Sequence, residues 1–63
     1  MKTNLEINKI YYYPERMEYF MIIGIDYTDD SKFYQVKFID NPEEIYHFVD
    51  DFPIFENCEE VNV

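Results

Sequence analysis

Residues 18–28, EYFMIIGIDYT, alternate with a period of two. Tyr19, Met21, Ile23, Ile25 and Tyr27 fall on one side, and Phe20, Ile22, Gly24, Asp26 and Thr28 on the other. The second side begins apolar and turns polar, the pattern of a central strand covered on both faces at its start. Gly24 is the single glycine of the chain. Inside a strand, glycine marks a bulge or a close backbone approach. Residues 33–39, FYQVKFI, alternate again, with Tyr34, Val36 and Phe38 inward and Gln35 and Lys37 outward. Asp29, Asp30 and Ser31 between the two runs are turn formers, so the pair predicts an antiparallel hairpin. Residues 6–13, EINKIYYY, predict a third strand that ends at Pro14.

Residues 41–53 carry two patterns at once. Asn41 suits a helix cap, Pro42 the first helical position, and Glu43 and Glu44 the positive helix end. Ile45, Phe48, Val49 and Phe52 have the spacing of one helical face, with Pro53 as terminator. Yet Tyr46, His47, Phe48 and Val49 are mediocre helix formers, and Tyr46 and Phe48 alternate like a strand. The favoured expectation is an α+β domain: a small antiparallel sheet of three to four strands with one short helix near residues 42–51. The alternative is an all-β, SH3-like small barrel in which this segment is the fourth strand. Residues 58–63, CEEVNV, are expected as an extended C-terminal edge.

Length limits what this pattern can hold. The chain has 63 residues, which predicts one domain near the lower limit for a self-supporting core. A core of this size supplies only about 3–5 kcal/mol, and small domains often add a staple. Cys58 is the single cysteine, so no internal disulfide forms, and no Cys/His cluster suits zinc. Seven tyrosines and six phenylalanines supply the apolar mass instead. That is enough for a small core with rings to spare, so a second chain, a copy or a partner, is expected to cover some of them. The free thiol fits a reducing compartment, and the N-terminal MKTNLEINKI lacks an apolar signal region, so the expected location is cytoplasmic.

Charge changes the picture most. The net charge is −9. Residues 1–21 balance to zero and residues 22–42 carry −2. Residues 43–63 hold seven carboxylates, Glu43, Glu44, Asp50, Asp51, Glu56, Glu59 and Glu60, and no Lys or Arg. Such a chain repels phosphates and anionic membrane surfaces, so neither nucleic acid nor membrane is expected as a direct partner. A basic protein surface is the natural complement.

Candidate chemistry is sparse. Carboxylate pairs are unavoidable with fourteen acids, and a chain this short seldom builds the cleft that a glycosidase pair needs. DYTDDS lacks the glycine and distal glutamate of a calcium loop. His47 is the single histidine, with no evident nucleophile or second ligand. Cys58 lies beside Glu59 and Glu60, whose charge dulls a thiol. No catalytic residue, metal ligand or cofactor is assigned, and a non-enzymatic domain is expected.

The expected function is protein binding, with the seven C-terminal acids as the contact surface. Spaced carboxylates on a rigid domain imitate the phosphate row of a nucleic acid, and would occupy the basic groove of a nucleic-acid-binding protein or nuclease. In charge and size the chain is similar to phage-encoded inhibitors, an analogy with no motif behind it. Tyr11 and Tyr13, on one side of the YYY run, join the expected contact set because tyrosine is favoured at interfaces. The rival expectation is a structural or adaptor subunit, or a homo-oligomer, whose acids serve solubility alone.

Overall fold

The computed structural model describes residues 5–61. Five strands, β1 (Ile10–Tyr13), β2 (Glu18–Tyr27), β3 (Lys32–Phe38), β4 (Asn41–Val49) and β5 (Glu59–Glu60), form one antiparallel sheet in the order β4-β3-β2-β1-β5. A single turn of helix, α1 (Pro53–Glu56), lies between β4 and β5. The sheet is open, with β4 and β5 as its two edges.

The segment expected as a helix near residues 42–51 is therefore β4. Val36 pairs with Tyr46 and Tyr34 with Phe48, so the period-two pattern wins over the helical spacing of Ile45, Phe48, Val49 and Phe52. Aromatic and β-branched residues favour a pleated, half-buried surface. Pairing with β3 also satisfies backbone groups that a short solvated helix would leave open at its ends. Between Lys37 and Phe38 the register jumps, because Lys37 faces Ile45 while Phe38 faces Asn41. Pro42 sits in that irregular stretch, on an edge strand, where a missing N–H is tolerated. The strand alternative is the correct one for this segment, but the sheet does not close into a barrel. Pro53, read as a helix terminator, instead begins α1, where its fixed φ suits the first turn.

The central hairpin stands as expected, with its turn closed by Thr28 N–H to the Ser31 carbonyl at 2.7 Å. Its faces need one correction. The register of β2 against β3 shifts between Ile22 and Gly24. Before the shift the alternation is regular: Phe20 and Ile22 point inward and are fully buried, whereas Tyr19, Met21 and Ile23 lie on the outer face. Beyond the bulge the phase flips, and Ile25 packs against the core opposite Tyr34. The Asn8 N–H, from a left-handed residue with φ 71, bonds the Ile22 carbonyl at 2.7 Å and so caps the bulge.

The core lies on one face. Tyr11 and Tyr13, Phe20 and Ile22, and Tyr34 and Val36 come from the three central strands, and Leu5, Ile54 and Phe55 cover them. Phe55 is the centre of this cover. Its ring stands 4.8 Å from Tyr34 and 6.0 Å from Phe20, both edge-on. No helix among the described residues is long and apolar enough to cross a membrane.

Candidate functional site

The seven C-terminal carboxylates are set apart by the sheet. Glu43 and Glu44 stand on β4, and Glu59 and Glu60 on β5, at opposite edges. Four inter-strand steps of about 4.8 Å separate those edges by roughly 19 Å. Asp50 and Asp51 link β4 to α1, and Glu56 ends α1 on the inner face. The acids thus ring the molecule, and do not gather on one face. They are also little neutralised. Lys9 Nζ lies 3.1 Å from Glu60 and 3.9 Å from Glu6, and Arg16 Nε lies 3.4 Å from Glu18. Glu43, Asp51, Glu56 and Glu59 have no ion-pair partner among the described residues. Lys32 lies over the Tyr34 ring at 5.2 Å, and its side-chain hydrogen bond with Tyr34, with smaller parts from Tyr27 and Asp50, holds its pKa above 10.5.

Tyr11 and Tyr13 are not a surface pair. They are 2 % and 7 % exposed, because they share the inner face with Phe20 and Ile22. Each hydroxyl escapes at the rim: Tyr11 accepts the Glu6 N–H at 2.9 Å, and Tyr13 donates to Glu15 at 3.0 Å. Tyr12 is the tyrosine of the run that faces outward, and it packs on Tyr19 at 4.7 Å. The period-two rule left this choice open, and only the register against β2 decides it.

A concavity with an aromatic floor lies on the inner face, where α1 is too short to cover the whole sheet. It encloses about 520 Å³. Tyr13, Phe38, Tyr46 and Phe48 form its floor, and Phe52, Pro53 and Ile54 one wall. Phe48 stacks on Phe52 at 4.8 Å and 3°, and Tyr46 on Phe48 at 5.7 Å and 13°. The rim comes from two strand junctions, Arg16 and Glu18 where β1 leads into β2 and Asp40 and Asn41 where β3 leads into β4. Two further carboxylates stand behind the floor: Glu15 accepts from Tyr13, and Glu44 accepts from Tyr46 at 2.9 Å and from Asn41 at 3.1 Å. These bonds raise the pKa of both phenols above 10.0, since each carboxylate favours the protonated hydroxyl. Sequence reasoning missed this groove. Its residues come from positions 13 to 54, and only the long β4 and the short α1 bring them together with space between.

The outer face carries a small polar cluster. Gln35 Nε2 donates to Asp26 at 2.8 Å, and His47 Nε2 lies 3.8 Å from the same carboxylate oxygen. Gly24 makes room for it, because a Cβ there would meet the Gln35 side chain at 3.0 Å. The glycine thus lies at a bulge, as its place in the strand predicted, and what approaches it closely is the Gln35 side chain and not backbone. Cys58 packs beside the core, and burial pushes its thiol above 9.0, so it is a poor nucleophile at neutral pH. Among the described residues no three His, Cys, Asp or Glu side chains are grouped to hold a metal ion. Comparison with protein-family models, curated proteins and solved structures found no match.

Proposed function

We propose that the chain is a non-enzymatic acidic domain that binds a basic protein surface, of the kind that otherwise grips nucleic acid, and inhibits by occupying it. The observation that carries this reading is the surplus of exposed carboxylates that have no ion-pair partner among the described residues. Glu43, Asp51, Glu56 and Glu59 are all exposed and lack a cation among the described residues. Fixed, solvated charges steer a basic partner and hold it through several exchanged ion pairs, as phosphates do.

The test is a capture from host lysate at low salt with elution by a salt gradient, repeated with duplex DNA as competitor. The triple variant Glu43→Gln, Asp51→Asn, Glu59→Gln keeps the fold, because exposed carboxylates contribute little to stability. It is expected to weaken capture and flatten the salt dependence, and DNA is expected to displace the captured protein. Capture that ignores salt, DNA and the triple variant would sink the proposal.

A second reading rests on the same geometry. Acids spread over both edges of the sheet, and not clustered on one face, favour a structural or adaptor subunit, which they keep soluble while it associates through the apolar outer face. In that case the triple variant binds normally and substitutions at Tyr19 and Ile45 abolish association.

A further inference from the structure

We infer that the inner-face groove is the anchor point of the partner, and that it takes the arginine side chain of an extended basic segment. This rests on the basic-partner reading above and adds to it a place and a side chain. The floor is aromatic and the mouth is acidic. Tyr46, Phe48 and Phe52 form a run of near-parallel rings. The rim carries Glu18 and Asp40 against the single guanidinium of Arg16, while Glu15 and Glu44 accept from the hydroxyls of the floor tyrosines Tyr13 and Tyr46. That guanidinium is already matched by Glu18 at 3.4 Å, so the surplus at the mouth is negative.

An apolar ligand would fit the floor and waste the rim. A small cation would fit the rim and waste the floor. Arginine uses both. Its methylene stem lies on rings, its planar guanidinium stacks on aromatic faces, and its fork matches carboxylates two bonds at a time. The sheet makes one such contact within itself, Lys32 over Tyr34 at 5.2 Å. The volume of about 520 Å³ is roughly three times a cavity that holds benzene, so it accommodates one or two side chains of an extended segment and no folded element.

The experiment uses two probe peptides, acetyl-Gly-Arg-Gly-Arg-Gly-amide and its citrulline isostere, titrated into the 15N-labelled full chain. Citrulline has the shape of arginine without its charge. The expected result is shifts concentrated at Phe38, Asn41, Tyr46, Phe48 and Ile54, with the citrulline peptide about tenfold weaker. Phe52→Ser removes the exposed groove wall while supplying α1 with a capping hydroxyl, so it keeps the fold. It is expected to weaken the arginine peptide severalfold. The pair Asp40→Asn and Glu18→Gln is expected to do the same and to erase the difference between the two peptides.

Four results overturn the inference. Shifts confined to Glu59 and Glu60, unaffected by Phe52→Ser, leave the acidic-domain reading standing and remove the groove from it. Equal binding of both peptides in the groove makes it an apolar site and removes the support it gives to a basic partner. No saturable shift with either peptide removes the groove as an anchor, and broadening across Met21, Ile23 and Ile45 that grows with protein concentration assigns the recognition to the outer face and a second copy.

Discussion

The two faces of the sheet have similar composition and different fates. Inward point Tyr11, Tyr13, Phe20, Ile22, Tyr34 and Val36, all buried. Outward point Ile10, Tyr12, Tyr19, Met21, Ile23, Phe33, Ile45 and Val49, half-buried or exposed. Hydrophobicity alone does not distinguish them. What does is the link from β4 to β5. It must cross from one edge of the sheet to the other, and it does so over a single face, carrying Ile54 and Phe55 as a lid. Among the described residues no second crossing covers the other face. Its outer residues are therefore shielded mainly by one another, as Tyr12 is by Tyr19.

The largest expected effect tests which face is the core. Phe20→Ala or Ile22→Ala removes a fully buried side chain and should cost about 3–5 kcal/mol. That consumes the whole stability expected of so small a domain, so both variants should be unfolded by circular dichroism. Ile23→Ala, one residue along but on the outer face, should cost only about 1 kcal/mol and remain folded. If Ile23→Ala unfolds the chain as Ile22→Ala does, the outer face contributes to the core as much as the inner one.

Alkaline titration probes the seal at the lower edge of the inner face. Burial raises the phenol of Tyr11 above 10.0 and the thiol of Cys58 above 9.0. In both cases the folded state keeps its proton past the pH at which the unfolded chain loses it. Lys9 is raised above 10.5, chiefly by its hydrogen bond to Glu60, so its contribution is present below that pH and lost as pH climbs through the folded value. All three have the same sign: stability should be level to about pH 9 and fall above it. Tyr11→Phe should cost about 1 kcal/mol at neutral pH, through the lost Glu6 N–H bond, and make the alkaline fall shallower. A chemical-denaturation series from pH 7 to 11 measures both.

Gly24 offers a finer test of the outer face. Gly24→Ala gains about 0.5–1 kcal/mol of backbone entropy, yet its new methyl displaces Gln35 from Asp26. In the native background the two effects should nearly cancel. With Gln35→Ala already in place, Gly24→Ala should be plainly stabilising, and a double-mutant cycle reads the difference. The same small change in both backgrounds would mean that Gln35 does not lie over Gly24.

The smallest effect expected is at the open positions. Tyr19→Thr and Ile45→Thr keep strand propensity and remove exposed apolar area, so each should shift stability by no more than about 0.5 kcal/mol. Measurement at two protein concentrations sharpens this. A larger loss that depends on concentration would show that a second copy covers the outer face.

The alternation of residues 33–39 was legible because both of its faces hold their period from end to end. The alternation of residues 18–28 was legible as a strand and misleading as a face, because one extra residue near Gly24 reverses the phase halfway. Ile45, Phe48, Val49 and Phe52 satisfied a helix on paper. β3 offered Tyr46 and Phe48 a better surface, and local spacing cannot register a partner eight or more residues away. The groove was illegible for the same reason: it is defined by what α1 fails to cover.

By itself, the order of residues determined three things: the central hairpin where side chains alternate, the turn where Asp29, Asp30 and Ser31 interrupt it, and a net charge of −9 weighted toward the C-terminal third. Each is a local or additive property, carried by neighbours or by counting. Tertiary structure decided which of two similar faces became core, that Pro53 opens a helix, and that the acidic doublets stand at opposite edges. Those outcomes depend on strand register and on one chain crossing. Both minimise the free energy of the whole sheet, and no short stretch of the chain carries that information.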